Sequence, residues 1–327
     1  AVLFGSAPGA AASVSVGSAV TVGSMTFDAA DAYGLSGAGI TFGAPGAGGT
    51  LNVARGAHTI AQSVALPEDL AVAVQPGAAL LLGGGATGSG RLTASGGGTL
   101  SVSNGASLNV PLTVDGATLG ALTTSTLGVP LTAGAGGATL MPAAGTTLTL
   151  SGAIDGAGAV TKRGASIAVL SGPNSATGLR TVRNGTLTLS SLTDSGDLVI
   201  GEGTLKYVGP NVTTPKGFTI QTSDAKLGAA FESDADVTFN GTISTVNGVF
   251  QKYGKGTLTF AGVGTNTIGV GLGSDNYSVA LNRGAFGDSP TQGLRIFMVL
   301  DGKVVLGAPG QTNIINNTVV VGGRTTA

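Results

Sequence analysis

The sequence has no cysteine and no tryptophan, and His58 is its single histidine. Without cysteine there is no disulfide to stabilise the fold and no thiol for catalysis or metal binding. A Ser-His-Asp triad or a zinc site would therefore depend on His58. This residue lies in RGAHTIAQ without a Gly-x-Ser-x-Gly motif, so we interpret it as a turn or surface histidine. We expect no catalytic residue, no cofactor and no enzyme activity.

Charge is also scarce, since only 9% of the residues are charged and the formal net charge is −1. The basic residues are dispersed, which gives no electrostatic surface for nucleic acid or an anionic membrane. The apolar runs are short, as in AALLL at 78–82, whereas a transmembrane helix needs about 20 apolar residues. Glycine clusters precede no helical phosphate-binding pattern, which disfavours nucleotide binding. We expect no nucleic-acid partner and no membrane-spanning segment.

Glycine and short aliphatic runs are abundant, with 59 glycines in 327 residues. One motif, Gly-Thr-Leu-x-(aliphatic or aromatic), recurs as GTLNV, GTLSV, GTLTL, GTLKY and GTLTF, beginning at residues 49, 98, 185, 203 and 256. Apolar and polar residues alternate within these units, which is typical of a strand with one buried face. Glycine or proline interrupts nearly every ten residues, so the sequence predicts an all-β fold with little or no α-helix.

Many short strands could form a sandwich, a barrel or a solenoid. The predicted strands are about four residues long, and no consistent hairpin signature joins them. Asn-Gly pairs, for example at 184–185 and 240–241, suit hairpin turns as well as solenoid corners that need positive φ. The short strands and glycine corners favour a parallel β-solenoid with about 20 to 25 residues per coil.

A longer frame also recurs. GAVTKRGASIAVLSG at 158–172 has a counterpart, GVFQKYGKGTLTFAG, at 248–262, and three glycines and one lysine are identical. We interpret the glycines as corners, and Lys162 and Lys252 as corner side chains that project into water and discourage edge pairing. Four residues of the first frame are candidates for the core: Val160, Ile167, Val169 and Leu170.

The segment 156–191, GAGAVTKRGASIAVLSGPNSATGLRTVRNGTLTLSS, resembles the autotransporter-associated β-strand repeat, and 248–286 is similar. The resemblance implies a right-handed parallel β-helix that is exported to a bacterial surface and has a structural or adhesive role. We therefore expect one continuous solenoid over 1–327. Because residue 1 begins without the features of a signal peptide, we expect an extracellular location after removal of that peptide.

The ends of the chain are predicted to be self-assembly segments or caps. Residues 1–27 carry no charge, and in the last segment, 303–327, none lies between Lys303 and Arg324. Uncharged strand edges favour pairing with other chains, so head-to-tail assembly into a fibre, filament or sheath is our first functional expectation. The candidate contact residues are Val14, Val16, Val20, Val22, Ile314, Ile315, Val319, Val320 and Val321.

Two other functions stay open at this point. One is a monomeric passenger or adhesin that displays loops to a cell surface or extracellular matrix. The other is a polysaccharide-degrading β-helix enzyme, for which carboxylates are needed. Glu232, Asp234 and Asp236 alternate along one predicted strand face, where they form either a solvated edge or, with Asp224, a weak candidate calcium site. No other metal site is expected.

Overall fold

The computed structural model describes residues 1–6, 11–44, 46–103, 108–223, 228–247 and 249–261, and four later strands. Within these residues the fold is all-β, and no helix is present. The chain divides into two compact units, Ala1–Gly178 and Leu179–Ala327. In both units the strands stack in parallel as a β-solenoid, which confirms the predicted fold class. A single continuous solenoid stays a prediction, as does its handedness.

The first unit has three strand-bearing faces, and the strands of each follow in stacking order. The first face holds β1 (Val2–Phe4), β4 (Ser24–Asp28), β7 (Gly49–Arg55), β10 (Leu70–Val74), β13 (Leu92–Ser95), β15 (Leu112–Asp115), β18 (Leu131–Ala133) and β21 (Ile154–Asp155). The second holds β2 (Ala12–Val16), β5 (Tyr33–Gly37), β8 (Ala57–Ile60), β11 (Ala79–Leu82), β14 (Thr99–Val102), β16 (Ala117–Ala121), β19 (Ala138–Leu140) and β22 (Val160–Lys162). Two further sheets hold β3 (Val20–Val22), β6 (Ile40–Phe42), β9 (Val64–Leu66) and β12 (Ala86–Gly88), and β17 (Ser125–Leu127), β20 (Thr147–Leu150) and β23 (Ile167–Leu170).

The second unit repeats this arrangement. One sheet holds β24 (Arg180–Val182), β26 (Leu198–Ile200), β29 (Phe218–Gln221) and β32 (Ile243–Asn247), and another β25 (Thr186–Leu189), β27 (Thr204–Tyr207), β30 (Gly228–Ser233) and β33 (Val249–Tyr253). The other two hold β28 (Val212–Thr214), β31 (Val237–Phe239), β34 (Thr257–Phe260), β35 (Ser278–Leu281) and β37 (Lys303–Leu306), and β36 (Ile296–Val299) and β38 (Val319–Gly322).

The strand register fixes the length of each coil. Arg180 pairs with Leu198, 18 residues on, whereas Leu205 pairs with Phe231, 26 residues on. The predicted range of 20 to 25 residues is thus close, but both shorter and longer coils occur. Because strands pair in register, extra residues are accommodated at the corners between strands.

In-register pairing stacks like side chains inside the solenoid. On the first face the buried ladder runs through Leu70, Leu92, Leu112, Leu131 and Ile154. Successive coils lie about 4.8 Å apart, so each side chain packs on the one before and the one after it. Burial of these aliphatic ladders is the main stabilising contribution, because the chain has no disulfide.

Candidate functional site

The recurrent lysines are buried, which corrects the prediction that they project into water. Lys162 continues a core ladder of Leu100, Leu119 and Leu140, and Lys252 follows Leu205 and Phe231 in the same way. Both lysines have 0% exposed surface. Each therefore occupies an inward position that a leucine or phenylalanine holds in the neighbouring coil.

Each lysine is satisfied by the carbonyl oxygens of its own corner. Lys162 Nζ donates to the carbonyl oxygens of Arg163 at 2.6 Å and Gly164 at 2.7 Å. Lys252 Nζ donates to those of Tyr253 at 2.6 Å, Gly254 at 2.9 Å and Ser233 at 3.2 Å. An ammonium group has three donors, which match such a carbonyl cluster. The lysine therefore pairs the backbone groups of a corner that has left the strand ladder.

The glycine after each lysine is needed for this corner. Gly164 has φ +74° and Gly254 has φ +83°, both in the left-handed region. A Cβ at Gly254 would lie 2.4 Å from the carbonyl oxygen of Ser233, on the preceding coil. The spacing Lys-x-Gly thus encodes a corner in which the chain turns back over its own lysine.

Burial lowers the pKa of both lysines to about 8. At Lys252 the negative charges of Asp234, Glu232 and Asp236 act in the opposite direction. A lysine with a lowered pKa is often a nucleophile or a base in an enzyme. Here both side chains are enclosed by the corner, and no substrate can reach Nζ without unfolding it. Their role is structural.

These two lysines make the stability of the fold depend on pH. Above about pH 8 the folded chain releases their protons, whereas the unfolded chain holds them up to about the ordinary pKa of 10.5. The free energy of unfolding is therefore expected to rise between these values, by up to about 1.4 kcal/mol per pH unit for each lysine. Urea titrations from pH 7 to 10.5 measure the slope. We expect the double variant Lys162→Met with Lys252→Met to flatten it, and the exposed Lys255→Met to leave it unchanged.

The candidate calcium residues have protein partners. Glu232 Oε1 lies 2.6 Å from Lys206 Nζ, Asp234 Oδ1 accepts the Lys255 N–H at 2.9 Å, and Asp236 Oδ1 accepts an N–H at 2.7 Å. Asp224 lies outside the described residues. No group of three His, Asp or Glu in the described part is placed to hold a metal ion. The cation on which these three carboxylates act is the ammonium of Lys252, and calcium binding stays a prediction.

Acidic side chains elsewhere connect successive coils, a pattern that the sequence analysis missed. Six of them in the described part accept a backbone N–H from a residue 21 or 22 positions away: Glu68, Asp69, Asp115, Glu202, Asp234 and Asp236. Hydrogen bonds from Ser223 hold the pKa of Glu202 below its usual value. The separation equals about one coil, and this periodicity is the signal by which they could have been found.

His58 is buried, so its interpretation as a turn or surface residue is wrong. Only 1% of it is exposed, and its ring stacks on Phe27 at a centroid distance of 4.6 Å. Nδ1 accepts the Tyr33 N–H at 3.0 Å, which leaves Nε2 to donate to the Arg55 carbonyl oxygen at 2.8 Å. Both ring nitrogens are used inside the fold, and no nucleophile lies among these partners.

A buried charge cluster lies in the second unit, where no strand connects β25 to β26. Asp194 accepts hydrogen bonds from Arg180 Nη1 at 2.5 Å, Lys216 Nζ at 2.7 Å and the Gly196 N–H at 3.1 Å. Lys216 Nζ also donates to the Gly196 carbonyl oxygen. Burial lowers the pKa of Arg180, and the charge of Asp194 opposes that shift. The cluster replaces strand pairing along this stretch of coil.

The first frame also contains a buried hydroxyl group without a hydrogen bond. Ser166 is 2% exposed, its Oγ has no partner, and the second frame has Gly256 at the equivalent position. We expect Ser166→Ala to raise the free energy of unfolding by about 1 kcal/mol, because a desolvated, unpaired hydroxyl is removed. The matched variant is Ser233→Ala, whose Oγ donates to the Ala235 carbonyl oxygen and which should lose stability. Thermal unfolding of both variants is the measurement, and a loss at Ser166 would contradict the assignment.

The core predicted for the first frame is half right. Val160 and Leu170 are buried, whereas Val169 is half-buried and Ile167 is 41% exposed, because Ala168 faces inward between them. The buried side chains therefore lie at alternate positions.

The fold and the buried clusters can now be compared with known proteins. Over 132 residues the chain is 31% identical to the adhesin BmaC autotransporter of Brucella suis biovar 1 (strain 1330). The chain is similar to an autotransporter adhesin. The match covers 35% of this chain and 4% of the adhesin, so the chain spans a small part of that relative's length. No family model matches the sequence. No solved structure matches the chain.

The candidate contact residues are in part described. Val14 and Val16 are half-buried in β2, Val20 is 39% exposed and Val22 is buried. Val319, Val320 and Val321 lie in β38, which pairs with β36, while Ile314 and Ile315 lie outside the described residues. In the part that the structure describes, no helix is long and apolar enough to cross a membrane.

Proposed function

We propose that this chain is a β-solenoid segment of an exported cell-surface passenger that acts in adhesion. The carrying observation is the 31% identity over 132 residues to an autotransporter adhesin, in a chain whose strands stack as a solenoid. The buried lysines, the histidine and the charge cluster are used within the fold, which supports a role for the outer surface. Its location is then extracellular, and its partner a component of a cell surface or extracellular matrix.

The outer face of the first unit offers a defined surface for the test. Thr99, Thr118, Thr139 and Thr161 stand in register on four successive coils, half-exposed and facing outward. Substitution here changes the surface and leaves the inward ladder in place, because neighbouring residues of a strand face opposite sides.

Beads coated with the purified chain test adhesion directly. We expect them to bind epithelial cells or immobilised matrix glycoproteins, and thermal unfolding before coating to abolish binding. Thr118→Arg with Thr139→Arg asks whether this face makes the contact, and Ser101→Ala, a buried position on the same sheet, controls for the mutagenesis. Beads that bind no cell type or matrix component, or that bind equally well after unfolding, would contradict the proposal.

Self-association is a second candidate function, supported by the edges of the first coil. Among the described strands, β1, β2 and β3 each pair with one neighbour, β4, β5 and β6. Such edges accept an additional strand, from a second copy or from another coil. Sedimentation velocity at increasing concentration tests this. We expect association that Val20→Lys weakens, and a monomer at every concentration would exclude it.

A further inference from the structure

Asparagines that are followed two residues later by serine or threonine occur only in the second part of the sequence. Ten asparagines follow residue 178, and five of them begin an Asn-x-Ser/Thr triplet, whereas none of the four asparagines in 1–178 does. Three of the triplets begin at described residues, Asn184, Asn211 and Asn240. The triplet is the acceptor sequence for N-linked glycosylation when x is not proline.

All three asparagines are exposed at corners of the solenoid. Asn184 precedes β25, Asn211 directly precedes β28, and Asn240 directly follows β31. Their neighbours in the strands, such as Leu187 and Phe239, face the core. A sugar on any of the three asparagines would therefore extend into solvent and leave the buried ladders undisturbed.

Asn211 also has its side-chain amide oriented by the next coil. Its Oδ1 accepts the Asp236 N–H at 2.9 Å, which turns the carbonyl end of the amide toward the protein. Nδ2, the atom that would carry a sugar, lies at the opposite end of the same planar group. The hydroxyl-bearing residue of this triplet, Thr213, is exposed as well.

Corner geometry alone does not account for the triplets. Asn-Gly is a frequent corner pair in this chain, yet the pairs at Asn104 and Asn247 continue with Ala106 and Val249. Conversely, Asn211 is followed by Val212, so its triplet does not arise from an Asn-Gly corner.

We propose that Asn184, Asn211 and Asn240 are N-glycosylation sites. The reaction forms a bond between C1 of the sugar and Nδ2 while the bond from C1 to the phosphate of an activated sugar donor breaks. The phosphate leaves with the electron pair, and a base of the glycosyltransferase takes the amide proton. The partner is thus a protein glycosyltransferase that uses a nucleotide- or lipid-linked sugar.

Peptide mass spectrometry of the chain, recovered from the cells that naturally produce it, tests the proposal. We expect sugar additions on peptides that contain Asn184, Asn211 and Asn240, and none on Asn247, which begins no triplet. Thr213→Val and Thr242→Val retain the asparagine and nearly the same side-chain shape, and each should remove the sugar from its own site only.

Two results would overturn the proposal: unmodified asparagine at all three sites, or additions that persist after the threonine is replaced. The bead assay described above, run with unglycosylated chain, reports on adhesion separately. Loss of one property therefore leaves the other open to measurement.

Discussion

Asp194→Asn is expected to lower the free energy of unfolding by about 4 kcal/mol. The substitution retains the shape of the side chain but removes the one negative charge between two buried cations, Arg180 and Lys216. Both side chains of the Arg180–Asp194 pair are 1% exposed, so water does not replace the lost charge. Removing one partner of such a cluster leaves charge buried without compensation, which costs about 3 to 5 kcal/mol.

Urea unfolding of this variant should be compared with that of Glu232→Gln. The ion pair of Glu232 with Lys206 has a similar distance, 2.6 Å, but its side chains are 35% and 39% exposed. Exposed pairs contribute up to about 1 kcal/mol, so this control should change little. A triple variant, Arg180→Met, Asp194→Leu and Lys216→Met, removes all the charges and should recover much of the loss. Equal effects of the two single variants would contradict the assignment.

Lys252→Met is expected to lower the free energy of unfolding by about 3 kcal/mol at pH 7. Methionine fills a similar volume and removes the buried charge, but the carbonyl oxygens of Ser233, Tyr253 and Gly254 lose their donor. Each buried carbonyl left without a partner costs about 1 to 3 kcal/mol, which exceeds the benefit of removing the desolvated ammonium.

The matched variant is Lys255→Met, three residues along the same corner, where the lysine is exposed. It should leave stability within about 0.5 kcal/mol of the parent. Hydrogen exchange adds a local measurement, because the amides of β33 and β34, which flank the corner, should lose protection in Lys252→Met alone. An unchanged unfolding midpoint for this variant would show that the corner carbonyls do not need the lysine.

The alternation of residues was sufficient to predict the fold, and applied strictly it also predicts the buried lysines. Val160 and Lys162 are two residues apart in one strand, so a buried valine implies an inward lysine. The general rarity of buried lysine outweighed this pattern and led to the wrong orientation. His58 follows the same rule, since it alternates with the buried Ile60.

The charge cluster could not be predicted in the same way. Arg180 and Asp194 are 14 residues apart and Asp194 and Lys216 are 22 apart, and the segment around Asp194 forms no strand that fixes a register. Only the stacking of one coil on the next brings the three charges together. Apolar patterns report which face of a strand is buried, but not which corner residues meet across coils.

The carboxylates that accept an N–H from 21 or 22 residues away have a consequence for how such a chain could assemble during export. Strand pairing within each unit joins residues 18 to 26 positions apart, so each coil finds its partners in the coil just completed. Stability in such an array is a sum of nearest-neighbour terms, and contacts of short sequence separation form quickly. A chain threaded through a membrane in an extended state could then fold one coil at a time as it emerges, with each new coil docking on the last.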